Sequence, residues 1–230
     1  MTETWAGLFW AAGGYLVGTI PSAWLVTRAR GGTEVFRRAR RSAGELDAHM
    51  LMTAHLGGRW SAVAATADVV KALGYVLAAR LVGPPPAWVA VTGAAVVVGY
   101  GWPPWARSLA GRGLAVASGV YLALLPIPMA VMGGLILLGA ATMRDTSMWS
   151  TAGLLVVPVL AAILGRPGAY VAKASAIFLL IMLRRLEGVG EVIRRGIPAG
   201  RAVWYRVAYD SSGPKDARVI DEDAPPERAR

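Results

Sequence analysis

Along the chain, apolar residues run in long uninterrupted stretches separated by short polar ones. Positions 87–98, 114–125, 129–143 and 154–164 show neither the polar stripe of an amphipathic helix nor the alternation of a half-buried strand, so lipid is their natural solvent. About 20 apolar residues cross the hydrocarbon core, fewer where flanking side chains snorkel to the interface. Spans are therefore predicted at 5–27, 61–82, 87–100, 113–125, 129–143, 150–164 and 168–183. Pro126-Ile127-Pro128 separates the fourth from the fifth, because one helix through this region would be too long and would carry two internal prolines. The expected fold is all-α, a polytopic membrane bundle of about seven transmembrane helices. Its many Gly and Ala residues suit helices that pack closely without a hydrophobic drive between them.

The polar positions orient this bundle. Arg28, Arg30, Arg37, Arg38, Arg40 and Arg41 follow the first span, Arg107 and Arg112 follow the third, and Arg184 and Arg185 end the last. The Val82-Gly83-Pro84-Pro85-Pro86 turn carries no charge. Under the positive-inside rule the N-terminus is outside and seven crossings bring the C-terminus inside, with Arg144 on the inner side and Arg166 as the outward exception.

Composition sharpens the picture at three points. A 55% hydrophobic content excludes an ordinary soluble domain of this length. The net charge of +10 does not signal nucleic acid, because the arginines border apolar spans, where they report topology and anionic headgroups. The absence of cysteine removes disulfides, thiolate metal sites and thiol nucleophiles. Glu3 stands where a signal peptide would be basic, so the first span is expected to stay as a helix. From Ala199 the residues turn to mixed charge with Ser, Gly and Pro. This divides the chain into a membrane domain at 1–196 and a charged, disordered cytoplasmic tail at 197–230, whose first part Trp204, Tyr205 and Tyr209 would hold at the headgroups.

Ionisable groups inside apolar spans are costly and are functional hypotheses by default. Asp68 and Lys71 stand three apart in the second span, spaced to pair on a helix; they are either an inward-facing structural ion pair or a charge on the substrate side. Lys173, in the last span, has no obvious partner and is expected to snorkel outward. The loop from Arg107 to Gly113 opens a helix, where free backbone N–H groups, glycines and the fork of Arg112 suit an anion. A topological charge is the plainer reading of that loop. In Gly18-Thr19-Ile20-Pro21-Ser22 the proline frees a carbonyl, and Ser22 either satisfies backbone or faces a substrate. His49 and His55 are six apart and point to different helical faces, so no metal site and no cofactor follow from them. A Gly-x-Ser-x-Gly elbow is absent from the sequence.

In sequence these motifs resemble the bacterial acyl-phosphate-dependent glycerol-3-phosphate acyltransferases. Gly18-Thr19-Ile20-Pro21-Ser22-Ala23-Trp24-Leu25-Val26-Thr27-Arg28 follows that family's opening Gly-Ser-Ile-Pro-[Ser/Thr]-Ala-Tyr-Leu-x-x-[Arg/Lys] pattern. Asp68-Val69-Val70-Lys71-Ala72 meets its Asp-x-x-Lys-[Gly/Ala]. Gly99-Tyr100-Gly101-Trp102-Pro103-Pro104-Trp105, then Leu109-Ala110-Gly111-Arg112-Gly113, is similar to its Gly-His-x-x-Pro-x-Phe and Lys-Gly-Gly-Lys-Gly. Leu183-Arg184-Arg185-Leu186-Glu187-Gly188 stands for its Leu-Arg-His-x-x-Asn. The chain departs at polar positions, with Tyr100, Leu109, Arg112, Arg185 and Gly188 replacing family residues, and 42–49 retains little of the Gly-Ser-Gly-Asn motif.

The resemblance, that of a divergent member, implies a multi-pass bacterial plasma-membrane enzyme of phospholipid synthesis. It would move an acyl chain from acyl phosphate to glycerol 3-phosphate or a related acceptor, among membrane lipids and without a cofactor. Arg112, the Gly111 to Gly113 backbone, Arg28 and Arg185 would hold the phosphate, with Asp68 and Lys71 beside the substrate. Ser22 and Ser42 would orient the acceptor, and His49 is the candidate base. The missing polar residues motivate an alternative from another class, a catalytically degenerate relative that binds lipid or regulates a partner.

Overall fold

The computed structural model describes residues 2–30, 49, 52–53, 56–105, 111–143, 147–187, 189–194 and 196–209. Every described regular element is helical. In chain order these are α1 (Thr2–Gly18), α2 (Ser22–Ala29), α3 (Gly58–Val82), α4 (Pro86–Gly101) and α5 (Leu114–Leu124). There follow α6 (Pro126–Met143), α7 (Ser147–Ile163), α8 (Gly168–Leu186), α9 (Val189–Arg194) and α10 (Ala199–Trp204), which runs on into one π-helical turn, Tyr205–Tyr209.

Three pairings carry the bundle: α1 on α4, α3 on α5 and α6 on α7, with α8 laid against α4 and α7. The first is a close backbone seam. A methyl on Gly18 would run into the Val96 carbonyl, and one on Gly99 into the Tyr15 carbonyl. Bare glycine lets the two backbones touch, which is how helices gain packing energy where apolar burial offers no drive. Val96, Val97, Val116, Val120, Leu125, Leu154, Ile177 and Ile181 fill the centre.

The outside of the bundle is as apolar as the inside. Phe9 is 71% exposed, Leu81 80%, Leu137 72% and Ile163 75%, a surface that water would not tolerate in such quantity. Helices α3 and α6 are both long and apolar enough to cross a membrane, while α4, α5 and α7 are shorter apolar helices.

Three expectations are corrected. The span expected at 5–27 is two helices, because Pro21 has no N–H to continue α1 and the chain turns through Thr19–Pro21 before α2. Lys173 does not reach outward: it is 4% exposed, with Nζ 5.4 Å from the Tyr121 ring centroid and 5.7 Å from that of Tyr170. Helical structure continues past position 196 to Tyr209, because Ala202, Arg206 and Ala208 are buried against the body of the protein. Positions 210–230 lie outside the described residues.

Candidate functional site

The break in the first span builds the site. Ile20, the residue before Pro21, lies in the turn between α1 and α2, and the Lys71 ammonium donates to its carbonyl at 2.6 Å. The same ammonium donates to Ser22 Oγ at 3.2 Å and to Asp68 Oδ1 at 2.5 Å. Asp68 and Lys71 share a face of α3 by their three-residue spacing, so one helical turn delivers both charges to the α1–α2 corner.

On its other oxygen Asp68 faces His49, whose Nε2 is 3.1 Å from Oδ2. That nitrogen is also 3.2 Å from the Tyr100 hydroxyl, presented by the last turn of α4. The His49 carbonyl is held by Ser61 Oγ at 3.0 Å and by Thr53 Oγ1 at 2.9 Å. Exposure differs within this group. The Asp68 side chain is fully buried, whereas His49 is 19% and Lys71 14% exposed, so the carboxylate is sealed behind a partly exposed imidazole and ammonium.

Tyr100 joins the anion-loop candidate to this cluster. Its ring lies 5.1 Å below the Lys71 ammonium. It also presses on Gly111 so tightly that a methyl there would stand 2.5 Å from the hydroxyl. Gly113, at φ +87°, turns the chain in the left-handed region and serves as the N-cap of α5, a conformation that favours glycine. The Gly111-Arg112-Gly113 segment thus reaches α5 alongside Tyr100, with Gly111 and Gly113 buried and Arg112 half-exposed.

The predicted site residues divide accordingly. Ser22, His49, Asp68 and Lys71 converge, and Gly111, Arg112 and Gly113 adjoin them through Tyr100. Arg28 is exposed on α2, its guanidinium 5.1 Å from the Trp24 ring. Arg185, 3% exposed, occupies a second cluster. There it donates to Thr151 Oγ1, to the Val207 carbonyl at 3.0 Å and to Ser150 Oγ at 3.1 Å, tying α8 to α7 and to the π-helical turn. Ser42 lies outside the described residues.

Sequence reasoning missed Tyr100, which it counted only as a lost histidine, and Ser61, which looks like any polar residue at the start of a span. It also missed the trio at the end of α4. The Trp102 indole N–H donates to Glu187 at 3.0 Å, and Glu187 pairs with Arg184, whose guanidinium stacks 5.9 Å from the Trp102 ring. The signal for it was the pairing of two motif segments, Gly99–Trp105 and Leu183–Gly188, at corresponding helix ends.

Among the described residues, a helical bundle with an apolar exterior, carrying a mixed-charge cluster beside a glycine-flanked arginine, defines a class: a helical protein of lipid surroundings. The profile of the family described as glycerol-3-phosphate acyltransferase matches residues 8–195, and the chain belongs to that family. It is 30% identical to the glycerol-3-phosphate acyltransferase of Myxococcus xanthus over 184 residues, 79% of this chain and 93% of that relative. It is 26% identical to that of Geotalea daltonii, covering 77% of this chain and 89% of the relative. A local match to glycerol-3-phosphate acyltransferase 4 of Dehalococcoides mccartyi, at 35% identity, covers 54% of this chain and 65% of that protein. The fold is similar to the crystal structure of PlsY, an integral membrane glycerol 3-phosphate acyltransferase, in its glycerol 3-phosphate form. The TM-score is 0.69 at 22% identity, over 82% of this chain and 92% of PlsY. The lysophosphatidic acid form of PlsY gives a TM-score of 0.67 at 21% identity.

Proposed function

We infer that this chain is an acyltransferase of a bacterial plasma membrane that transfers an acyl group from acyl phosphate to glycerol 3-phosphate, forming the first acyl ester of a phospholipid. Family membership over residues 8–195 supports the reaction class, and the convergence of Ser22, Asp68, Lys71 and His49 beside the Gly111–Gly113 segment is the observation that carries it. The bundle crosses the bilayer seven times, N-terminus out and C-terminus in, which puts the α1–α2 corner, the end of α4 and the start of α5 on the cytoplasmic side.

In this reading Arg112 and the glycine-flanked backbone receive phosphate oxygens, and Lys71 adds a fixed positive charge near the reacting centre. Ser22, already held by Lys71, orients the acceptor hydroxyl. Most of the rate comes from proximity and preorganised charge: the acyl carbonyl and the hydroxyl are held together, and positive groups stand where negative charge develops. A donor of this kind carries its own activated leaving group, phosphate.

The purified full-length protein in detergent, given labelled acyl phosphate and glycerol 3-phosphate, should form labelled acylglycerol phosphate and release phosphate. Arg112→Ala should suppress both. No product from the unaltered protein, or full product from Arg112→Ala, would overturn the assignment. The topology is checked separately by accessibility labelling: cysteines placed at Arg38 and Arg112 should react from the same, cytoplasmic side.

A further inference from the structure

We propose that Tyr100 is a positioning residue of the acyl transfer: its ring is the post that holds the Gly111–Gly113 segment, and with it Arg112, at a fixed place relative to the Lys71 ammonium. The inference rests on the acyl-transfer reading above and deepens it, since that reading gives Arg112 and Lys71 separate tasks and names nothing that keeps them in register.

The ring meets a different neighbour on each part of its surface. The segment runs along one edge. A methyl on Gly113 would stand 3.8 Å from Cδ1, and one on Gly111 would stand 2.6 Å from Cε1, 2.8 Å from Cζ and 2.5 Å from the hydroxyl. Both residues that flank Arg112 therefore lie against Tyr100, and at Gly111 the ring leaves no room for a side chain. Over the face, the Lys71 ammonium stands 5.1 Å from the centroid. At the tip, the hydroxyl is 3.2 Å from His49 Nε2. A single rigid ring thus spaces the arginine-bearing segment from the ammonium.

The post is itself fixed. Tyr100 is 6% exposed, and the backbone around it is clamped to α1. A methyl on Gly18 would stand 3.0 Å from the Tyr100 nitrogen, and Gly99 lies on the Tyr15 backbone. Two residues further on, the Trp102 carbonyl accepts from the Tyr15 hydroxyl at 3.1 Å, and the Trp102 indole is tied to Glu187. A close-packed side chain on a clamped backbone transmits position instead of absorbing it.

Position is what fixed charges need in order to act. Misplacing them by about 1 Å costs on the order of 100-fold in rate. The contribution of Tyr100 is bulk at a fixed place, and no bond to it forms or breaks during the transfer.

A double-variant cycle in the full-length protein in detergent tests this. Initial rates of phosphate release are measured across concentrations of acyl phosphate and glycerol 3-phosphate. Tyr100→Ser removes the post, and Gly111→Ala pushes the segment off it. Each should lower kcat/KM at least about 10-fold, and the KM that rises, for donor or acceptor, should be the one that rises in Arg112→Ala. Both substitutions break one contact, so the loss in the double variant should fall at least about 10-fold short of the product of the single losses. Tyr100→Phe keeps the ring edge and loses only the hydroxyl, so it should recover most of the loss seen in Tyr100→Ser. A second readout does not depend on how Tyr100→Ser folds. The rise in unfolding temperature on adding inorganic phosphate at constant ionic strength should be at least halved in Gly111→Ala.

Unchanged KM values in Tyr100→Ser and Gly111→Ala, with the damage confined to unfolding temperature, overturn the proposal and leave Tyr100 as core packing. Losses that multiply in the double variant, or an undiminished phosphate-induced shift in Gly111→Ala, overturn it as well. Tyr100→Phe as impaired as Tyr100→Ser does the same, by moving the role from the ring to the hydroxyl. An unaltered protein that makes no acyl ester sinks the acyl-transfer reading instead, and the phosphate-induced shift then decides the positioning of the segment by itself.

Discussion

Two polar clusters are sunk into the same apolar bundle, and they are built differently. Around Asp68 both signs of charge meet, three elements contribute, and two of the charged or titratable side chains stay partly open to solvent. Around Arg185 the described partners are hydroxyls and a backbone carbonyl, and the guanidinium is almost fully covered. The first arrangement keeps groups that a visiting molecule can engage. The second spends its donors on holding α8, α7 and the π-helical turn together. Burial of an arginine at a family motif position is therefore compatible with a fastening role, and exposure of the neighbouring groups is what separates chemistry from carpentry.

Substitutions sharpen this contrast, beginning with the largest expected effect. Lys71→Met removes the positive charge that Asp68, Ser22 and Ile20 all share. Turnover per folded molecule should drop at least about 100-fold, the scale of losing one electrostatic donor, while the buried carboxylate, stripped of its ammonium, lowers stability by about 3 kcal/mol. Lys71→Arg should recover part of the stability and little of the rate. Steady-state phosphate release, normalised by size-exclusion chromatography, decides this, and normal turnover in Lys71→Met would erase the distinction between the clusters.

Arg112→Ala comes next. A charge-assisted hydrogen bond is worth about 1.5–3 kcal/mol, so kcat/KM should fall roughly 10- to 100-fold with the unfolding temperature little changed. Arg185→Met should behave in the opposite way. Its melting temperature in detergent should fall by about 5–10 °C, from loss of about 2–3 kcal/mol of buried hydrogen bonding, with turnover per folded molecule kept within about 3-fold. If Arg185→Met instead melts normally and loses turnover, its guanidinium serves the substrate and the contrast fails.

The smallest effect belongs to Glu187→Gln, which weakens the ring of contacts among Trp102, Arg184 and Glu187. Glu187 is about half exposed, and such a pair contributes about 1 kcal/mol or less, so the thermal midpoint should move by no more than about 4 °C.

The legible parts of this protein are those governed by local pattern. Unbroken apolar stretches announce helices wherever they occur, and the helices duly appear near the positions where hydropathy puts them. The spacing of Asp68 and Lys71 encodes their pairing, because a helical turn is enough to bring them together. Pro21 announces a freed carbonyl, though hydropathy carried the span through it: the residues on both sides are equally apolar, and only the missing N–H marks the break. The site is less legible because its geometry is long-range. His49 reaches Asp68 across a segment with no apolar rhythm, and Tyr100 reads as a loss until its hydroxyl is seen beside that imidazole. Lys173 reads as a charge bound for the interface: Tyr170 stands three residues earlier on the same helix, but a sequence does not reveal that Tyr121 faces it from α5. The Arg185 contacts depend on Val207, beyond the point where composition turns polar, so nothing local couples them.

One feature of α3 bears on the energetics of an energised cell. A lone charge held within the bilayer gains or loses about 2.3 kcal/mol for each 100 mV of transmembrane voltage it traverses in full. Asp68 and Lys71 carry opposite charges one turn apart, an axial offset of about 4.5 Å in a core about 30 Å thick, so the field exerts only a small net torque on the pair. Their geometry should accordingly respond little to a voltage across the membrane.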